Sequence, residues 1–540
     1  MIFSHITDTP GEVASIAMQL PYHSDALSCY QLLTAQSPYS LLLESAEIDS
    51  KDNLKSLLLI DAALRIECND QTVVVKAVSN NGAVLLPYLA DKLSNNAAVE
   101  QTKDQLRITY KRPELLLEES ERLLCANPFS VLRTLQSELK CQSDEPFAVF
   151  LGGVIGYDMV ATVEQLPEVP TAENQCPDYV FYLAETLLVL DHQSGHSRLV
   201  GNVFCGEQAP ANCFVIGKRL EQLKQLLQTP AVATTPAAAI NTEVQVDISD
   251  ADFVAQVEKL KQHIVAGDIF QVVPSRCFRL PCPDPLAAYA RLKQQNPSPY
   301  MFYLTDTAFT LFGASPESAL KFDAKSRQVE IYPIAGTRRR GFKSDGSIDR
   351  DLDSRIELEL RQDEKEKAEH LMLVDLARND VARISVPGSR YVKELLKVDR
   401  YSYVMHLVSR VVGTLKPELD ALHAYQACMN MGTLVGAPKV RASQLVRQAE
   451  KTRRGSYGGA VGYLNALGDM DTCIVIRSAF VKDGVAHIQA GAGVVFDSDP
   501  QSEADETRQK AQAVISAIKM GAGLDESHQA TATTTTEQPR

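Results

Sequence analysis

The stretch "SRYVKELLKVDRYSYVMHLVSRVVGTL", Ser389 to Leu415, decides the fold class of this chain. It predicts consecutive strands with no helical crossover between them, which favours an antiparallel pairing. Strands and helices recur densely on both sides of it, from Val246 to about Met520. The sequence therefore predicts an α+β fold built on antiparallel sheet.

Outward from this stretch, composition divides the 540 residues into four regions. Residues 1–227 mix short strands with helices, and the Pro/Ala/Thr-rich segment "QTPAVATTPAAAINTE" predicts a linker at 228–245. Residues 246–522 form the second structured region, and the low-complexity tail 523–540 is predicted to be disordered. Two or three domains, or one large two-lobed body, fit this length.

The first region carries clear local signals. "SPYSLLLES", "SLLLIDAALRIEC" and "TVVVKAV" predict strands, and "PELLLEESERLLCA" predicts an amphipathic helix. "LLVLDHQSGHSRLV" predicts a hairpin, so His192 and His196 mark a solvated turn rather than a helical metal pair. "FLGGVIGYD" is glycine-rich without the GxGxxG pattern, and it predicts a close-packed strand and turn rather than a nucleotide loop.

Charge and cysteine content narrow the class of protein. A net charge of −14 and a pI near 5.3 argue against a nucleic-acid or anionic-membrane binder. The 11 cysteines include no CxxC pair, which indicates reduced thiols and a cytoplasmic location. Neither a signal peptide nor a membrane-spanning apolar run is predicted.

Two distant segments carry paired acids at helical spacing. In "GAGVVFDSDPQSEADETRQKA" Pro500 suits a first helical turn, Ser502 and Asp505 have capping-box spacing, and Glu503 and Glu506 project from one side. Glu366 and Glu369 repeat this spacing in "RQDEKEKAEHLMLVDLARND". Acids favoured at a helix N-terminus, or a solvated face, explain each pair separately. Two facing pairs would instead need a cation between them, and a few carboxylates with water and substrate oxygens suit Mg²⁺.

A series of ordered motifs joins the two segments. "IYPIAGTRRRG", "LARNDVARISVPGS", "MGTLVGAPKVRA", "GGAVGYL", "IRSAF" and "GAGVVFDSDPQSEADET" follow one another over Ile331 to Thr507. The series closely resembles the chorismate-using enzymes, and among them the large component of anthranilate synthase. "LLLES" and "NPSPYMFY" resemble the same group. The resemblance implies two lobes of large antiparallel sheets flanked by helices.

The resemblance also implies a site. Glu369 and Glu506 match Mg²⁺-binding acids, with Glu366 and Glu503 close by, and the metal holds the ring carboxylate of chorismate. The matched substrate-binding positions are Gly336, Thr337, Tyr457, Arg477, Gly491, Ala492 and Gly493. Small residues at 491–493 would bring backbone N–H groups close to a carboxylate, and a guanidinium can grip one in two places. Without the resemblance, Arg477 would be an ordinary strand-end arginine.

Three further residues match the catalytic positions of these enzymes. Glu317 of "GASPES" matches the general acid, although alone it could be a turn carboxylate. His406 of "YVMHLVS" matches an active-site histidine near the departing hydroxyl, although a lone histidine on an apolar strand is often a core residue. Thr433 of "MGTLVG" is predicted to line the same cavity.

Two positions select the nucleophile among these enzymes. Relatives that add water carry a lysine where "FQVVPSR" has Gln271, and an amide cannot act as a base. Aminodeoxychorismate synthase typically has a nucleophilic lysine where "PIAGT" has Ala335. The nucleophile that remains is ammonia, which would attack ring carbon 2 as the 4-hydroxyl leaves. Pyruvate is then eliminated to give anthranilate, in the first step of tryptophan biosynthesis.

The reaction needs a source of ammonia, and this need predicts a partner protein. Cys428 and Cys205 lack the GxCxG-type setting of a glutaminase, so a separate glutamine amidotransferase subunit is expected, in a heterotetramer of two of each.

"LLLES" and "NPSPYM" resemble the tryptophan feedback site, with Glu44, Ser45, Pro299, Tyr300 and Met301. A strand end and a proline-fixed turn explain these residues equally well without the resemblance.

Three alternatives remain open at this point. The nearest is aminodeoxychorismate synthase component I, against which Ala335 stands. The second is a catalytically silent amino-acid-binding homologue, against which stand the intact Glu317, Glu369, His406, Arg477 and Glu506. The third is a metal-independent scaffold, which leaves the glycine and acid pattern unexplained.

Overall fold

The structure is a computed structural model, and it describes residues 6–45, 54–113, 117–228, 243–343, 345–401 and 404–522. Residues 229–242 of the predicted linker and the tail 523–540 lie outside the described residues, as do 114–116 of the predicted helix at 113–126. The division into four regions therefore stays a prediction.

The first 228 residues contribute ten strands, and these are β1 (Glu12–Leu20), β2 (Ser40–Glu44), β3 (Lys55–Asn69), β4 (Thr72–Ala77), β5 (Ala98–Gln101), β6 (Gln105–Thr109), β7 (Lys140–Cys141), β8 (Phe150–Ile155), β9 (Tyr179–Asp191) and β10 (His196–Phe204). The later strands are β11 (Gln245–Val246), β12 (Gln271–Val272), β13 (Ser275–Pro281), β14 (Tyr300–Thr305), β15 (Thr310–Ser315), β16 (Ser318–Asp323), β17 (Gln328–Ile331), β18 (Ile334–Arg339), β19 (Tyr391–Arg400), β20 (Val404–Thr414), β21 (Gly436–Ala437), β22 (Ala460–Asn465), β23 (Met470–Ile474), β24 (Ser478–Lys482) and β25 (Val485–Gly491).

The helices within the described ranges are α1 (Ala26–Leu33), α2 (Asn80–Ala83), α3 (Leu85–Leu93), α4 (Glu119–Leu124), α5 (Phe129–Glu138), α6 (Ala209–Leu227), α7 (Asp250–Val265), α8 (Pro285–Gln295), α9 (Arg350–Gln362), α10 (Glu364–Ile384), α11 (Ala421–Cys428), α12 (Gly432–Val435), α13 (Lys439–Glu450) and α14 (Pro500–Gly521). A 3₁₀ helix covers Tyr157–Thr162. None of the helices in these ranges combines the length and the apolar character needed to cross a bilayer.

A long ribbon of two strands organises the sheets. β3 and β9 pair antiparallel, with register shifts between Leu59 and Leu64. The first half of β3 pairs with β2 and its second half with β4. Likewise β9 pairs with β8 through its first half and with β10 through its second. The bulged ribbon is therefore shared by two layers of sheet, because a bulge bends a strand and raises its twist.

Two series of strands leave this ribbon. The first arm runs from β3 through β2, β14, β15, β24, β25 and β13 to β11. The second arm runs from β9 through β8, β22, β23, β16 and β17 to β20, which also pairs with β18 and β19. Every pairing in both arms is antiparallel, which confirms the predicted α+β class and the β19–β20 pair of the stretch from Ser389 to Leu415.

The chain passes between the arms at two short connections. Pro316 and Glu317 join β15 of the first arm to β16 of the second. Residues 475–477 join β23 of the second arm to β24 of the first. Side chains on these connections, such as Glu317 and Arg477, are thus placed where the two arms diverge.

The first-region predictions are largely confirmed. The segments predicted as strands form β2, β3, β4 and β8, and the predicted hairpin forms from β9 and β10. His192 bonds Ser56 Oγ and Tyr22 through its two ring nitrogens, each at 2.7 Å, while His196 is exposed on the other strand. All 11 cysteines are free thiols.

The two acid-bearing helices form where expected, with two differences. α14 buries Ala511, Val514, Ile515 and Ile518, an apolar face at helical spacing, against α8, α7 and β25. However, its N-cap is Asp499, whose carboxylate accepts from Ser502 N, so the predicted capping box of Ser502 and Asp505 is wrong. Because the helix begins at Pro500, Asp505 and Glu506 lie beyond its first turn. The second acid segment is divided at Asp363, which caps α10 through Glu366 N.

Candidate active site

The structure brings the two pairs of glutamates together. Glu366 and Glu369 lie in the first two turns of α10, and Glu503 and Glu506 in the first two turns of α14. Burial raises the pKa of Glu369 to about 7, and the nearby carboxylates of Glu366 and Glu506 add to this rise. Burial and Glu506 likewise raise the pKa of Glu503. The two pairs, which are more than a hundred residues apart in the sequence, thus form one cluster of four acids.

Two basic side chains partly balance this cluster, and the sequence analysis missed both. Lys510 Nζ lies 2.6 Å from Glu506 Oε1 and donates to Gly491 O at 3.1 Å. Arg338 Nη1 donates to Glu366 Oε1 at 2.8 Å. Lys510 also lowers the pKa of Glu369, against the larger effect of burial. Its position four residues after Glu506 on one helix was a visible signal.

The acid cluster fits a hard divalent cation. Glu503 is buried, and its Oε2 has no hydrogen-bond partner. Over the described ranges no three His, Cys, Asp or Glu side chains form a ready cage for a metal. Mg²⁺ does not need one, because it commonly takes one or two carboxylates and completes its shell with water and substrate oxygens. Glu369 and Glu506 would supply the two carboxylates, and a cation there would offset their mutual repulsion.

A side-chain amide holds Glu369 in place. Gln271 Nε2 donates to Glu369 Oε1 at 3.0 Å, while Gln271 Oε1 is buried without a partner. A Cβ on residue 493 would lie 2.9 Å from Gln271 Nε2 and 3.5 Å from Glu369 Oε1, so glycine there leaves room for this bond. One expectation for the glycine segment is wrong, because Ala492 N donates to Pro274 O at 3.1 Å and cannot serve a ligand.

Glu317 lies on the connection between β15 and β16, with 7% of its surface exposed. Thr433 Oγ1 donates to its Oε1 at 3.0 Å, so the structure joins two residues that the sequence placed in one cavity. Burial raises the pKa of Glu317 to about 8, although Thr433, Lys510 and Arg477 each pull it down. A carboxyl with this pKa is protonated at neutral pH and can donate a proton.

His406 lies on β20 opposite Thr337 of β18. Its Nδ1 lies 2.8 Å from Thr337 Oγ1, and its Nε2 is buried without a partner. Burial and the charge of Arg477 lower the pKa of His406 to about 3, so the ring is neutral near pH 7. Gly336, at φ +82°, precedes this pair, and a Cβ there would lie 3.2 Å from Glu366 Oε2. The "PIAGT" segment therefore connects the histidine to the acid cluster.

Arg477 is a cation without a counter-ion. Within the part of the chain that the structure describes, its guanidinium makes no hydrogen bond or ion pair, and burial lowers its pKa. Its backbone has φ +47°, and its carbonyl accepts from Ala314 N at 3.1 Å. Tyr457 is buried, and a Cβ on Gly491 would lie 2.9 Å from its hydroxyl. A partly buried guanidinium without an ion-pair partner among the described residues is suited to bind an anion.

The predicted feedback residues also meet. Glu44 on β2 is the register partner of Met301 on β14, next to Ser45, Pro299 and Tyr300 in the chain. The sequence analysis missed two residues of α8 that hold the Glu44 carboxylate. Tyr289 donates to Glu44 Oε1 at 2.5 Å, and Lys293 Nζ lies 2.6 Å from Glu44 Oε2. No spacing in the sequence signals these two contacts.

Comparison with known proteins defines the class of this fold and site. A family model described as "chorismate binding enzyme" matches residues 93–516. The chain belongs to the chorismate binding enzyme family.

Named relatives within this family narrow the comparison. The chain is similar to anthranilate synthase component 1 of Vibrio cholerae, with 59% identity over 93% of this chain and 95% of the relative. It is 57% identical to the protein of that name from Escherichia coli, over 92% and 95% of the two chains. The crystal structure of anthranilate synthase component I from Streptococcus pneumoniae matches with a TM-score of 0.69 and 29% identity, covering 87% of this chain and 95% of that one.

Proposed function

We propose that this chain is the synthase component of anthranilate synthase, which converts chorismate and ammonia to anthranilate and pyruvate. The near full-length identity to relatives of that name carries the proposal. The meeting of Glu369, Glu506, Glu317, His406 and Arg477 between the two arms supports it, because each residue type matches one task of the reaction.

Substrate binding begins with the two carboxylates of chorismate. Arg477 binds the enolpyruvyl carboxylate, since its guanidinium is partly buried and has no ion-pair partner among the described residues. Gly336, Thr337 and Tyr457 line the same space. Mg²⁺, when bound by Glu369 and Glu506, supplies positive charge that attracts the ring carboxylate into an otherwise acidic protein.

Proton transfer falls to Glu317. In its protonated form it donates to the departing 4-hydroxyl, so the C4–O bond breaks to give water while a C2–N bond forms with ammonia. Thr433 orients the Glu317 carboxyl through its hydrogen bond. Neutral His406, fixed by Thr337, presents Nε2 to the substrate side without adding charge. Loss of pyruvate from the aminated ring then gives anthranilate.

The choice of nucleophile follows from Gln271 and Ala335. Gln271 is a neutral amide bonded to Glu369, so it cannot remove a proton from water. Ala335 offers no amine, and its carbonyl accepts from His370 Nδ1 at 3.3 Å. Ammonia itself needs no base of this kind, because its lone pair is free at alkaline pH.

The ammonia source is a separate glutamine amidotransferase subunit, assembled with this chain as a heterotetramer of two of each. Burial raises the pKa of the Cys428 thiol, whereas a nucleophilic cysteine needs a lowered one. A cytoplasmic location is part of the proposal, and the free thiols and the biosynthetic role support it.

The test is turnover by the chain alone. With chorismate, Mg²⁺ and an ammonium salt at alkaline pH, we expect pyruvate and fluorescent anthranilate in equal amounts, and no product after chelation of the metal. Formation of an aminated product that retains the enolpyruvyl group, or no turnover at all, would refute the assignment.

We further propose that tryptophan inhibits the enzyme at the site around Glu44 and Met301. An amino acid's ammonium group needs a carboxylate, and Glu44 supplies one that is 7% exposed and already holds the Lys293 ammonium. Met301, the register partner of Glu44, is buried among apolar side chains, which suits a site for an indole ring.

Replacing Glu44 with glutamine tests this site. We expect the tryptophan concentration for half-inhibition to rise about 10- to 100-fold, because one charge-assisted hydrogen bond is lost. Uninhibited turnover should stay near that of the natural protein. Glu100→Gln, an exposed change on β5, is the matched control and should leave inhibition unaltered. Unchanged inhibition in Glu44→Gln would show that tryptophan binds elsewhere.

A further inference from the structure

A cavity of about 550 Å³ lies beside the second half of α10 and takes no part in the site described above. Its other walls come from α4, the 3₁₀ helix at 157–162, and the start of α13. Phe270 and Val440 line it and are 70% and 43% exposed, so the cavity opens at the surface. Exposed apolar side chains at a cavity mouth are typical of a surface that another protein covers.

Hydrogen-bond acceptors line the inner part of this cavity. Asn430 is 4% exposed, and its Oδ1 is buried without a partner although its Nδ2 donates to Tyr157 O at 2.8 Å. Asp380 also lines the cavity, is buried, and is paired with Lys439, which donates to Cys428 O at 2.6 Å as well. An unpaired acceptor in such a place is suited to a small molecule that carries N–H groups.

A second cavity continues toward the catalytic acid. Its volume is about 20 Å³, and Glu317 and Thr433 are among the residues that line it. Both cavities are lined by Leu376 and Asp380 of α10, so these two side chains form the partition between them. Glycine at 432 leaves room for Leu376, because a Cβ there would lie 2.2 Å from Leu376 Cδ2.

We propose that these two cavities form the path by which ammonia from the glutaminase subunit reaches chorismate, with Leu376 as its narrowest point. The inference rests on the proposed function. Ammonia enters at the mouth beside Phe270 and Val440 and passes Asn430. It then crosses at Leu376 into the space beside Glu317 and Thr433.

Size and polarity select what crosses. A space of about 20 Å³ holds roughly one water-sized molecule, which admits ammonia and excludes glutamine. Its apolar lining includes Leu373, Ala377 and Met431, while Asp380 is already paired with Lys439 and burial keeps Glu317 protonated at neutral pH. An ammonium ion would therefore lose its hydration there without a free carboxylate to replace it. Neutral ammonia, held briefly by Asn430 Oδ1, is the species that passes.

Leu376→Trp in the complex with the glutaminase subunit tests the path. With glutamine as nitrogen donor, we expect anthranilate formation to fall about tenfold, because the nucleophile is no longer delivered to the bound substrate. The rate with free ammonium should fall far less, since external ammonia enters with the substrate. When unlabelled glutamine competes with labelled ammonium, label should enter the product of the variant and be largely excluded from that of the natural complex.

Leu371→Trp is the control, since Leu371 lies on the same helix, is 43% exposed and lines neither cavity. It should retain glutamine-dependent synthesis. A Leu376→Trp complex that keeps full coupling to glutamine, or loses both activities equally, would overturn the path. Absence of ammonium-dependent synthesis in the natural chain would instead refute the proposed function, so the two failures are distinguishable. Leu376→Ala, which widens the partition, should keep glutamine-dependent synthesis, and its loss there would also count against the path.

Discussion

Replacing Glu317 with glutamine should lower kcat by about three orders of magnitude, the range of a lost general acid. The amide keeps the size of the side chain and can still accept from Thr433, but it has no proton to give to the departing hydroxyl. KM for chorismate should change little, because the contacts that bind both carboxylates remain. Steady-state kinetics with glutamine or ammonium as donor measures both quantities.

The pH profile supplies an independent signature of the same residue. Because burial raises the pKa of Glu317 to about 8, the acid is protonated at neutral pH and is lost as the pH rises through that value. We therefore expect kcat, measured at a constant concentration of un-ionised ammonia, to decline above pH 8 in the natural enzyme. The residual activity of Glu317→Gln should not show this decline. Tryptophan binding should survive in the variant, which shows that it folds. Full activity in Glu317→Gln would remove this residue as the acid.

Glu369→Gln should raise the Mg²⁺ concentration for half-maximal activity by about 100-fold, since one of two carboxylate ligands loses its charge. At saturating metal, kcat/KM for chorismate should also fall, because the ring carboxylate meets less positive charge. Gln271 can still donate to the new amide oxygen, so the local packing is preserved. Titration of Mn²⁺ followed by its electron paramagnetic resonance measures binding without reference to turnover.

Asp505→Asn is the matched control for this change. Asp505 lies between Glu503 and Glu506 on α14, is exposed, and accepts only from Gln501 at 3.0 Å. Its loss should leave both the metal titration and turnover unaltered. If Glu369→Gln bound Mn²⁺ as tightly as the natural protein, the assignment of the acid cluster to the metal would be wrong.

The feedback site illustrates what sequence patterns could and could not give. "LLLES" predicted a strand and the resemblance identified Glu44, because both rest on consecutive residues. The contacts from Tyr289 and Lys293 to Glu44 join residues more than 240 positions apart, and no local pattern signals them. Similarly, the capping box at Ser502 failed because one further acid, Asp499, competes for the same backbone groups.

What the sequence by itself determined was local order. Alternation along β19, the apolar stripe of α14 and the three-residue spacing of its acids all follow from short-range geometry, which needs no knowledge of the rest of the chain. The series of motifs also identified the family, because so many segments rarely match one family in the same order by chance.

Only the tertiary structure decided which of these residues act together. Glu317 and Arg477 lie on the two connections where the arms diverge. The packing of α10 on β18 and β20, and of α14 on β25, brings Glu369 within reach of the charge of Glu506. Burial there, and not residue type, gives Glu317 a proton at neutral pH and keeps His406 neutral. A pKa depends on the solvent and charges that surround a group, and those are set by long-range packing that no stretch of sequence contains.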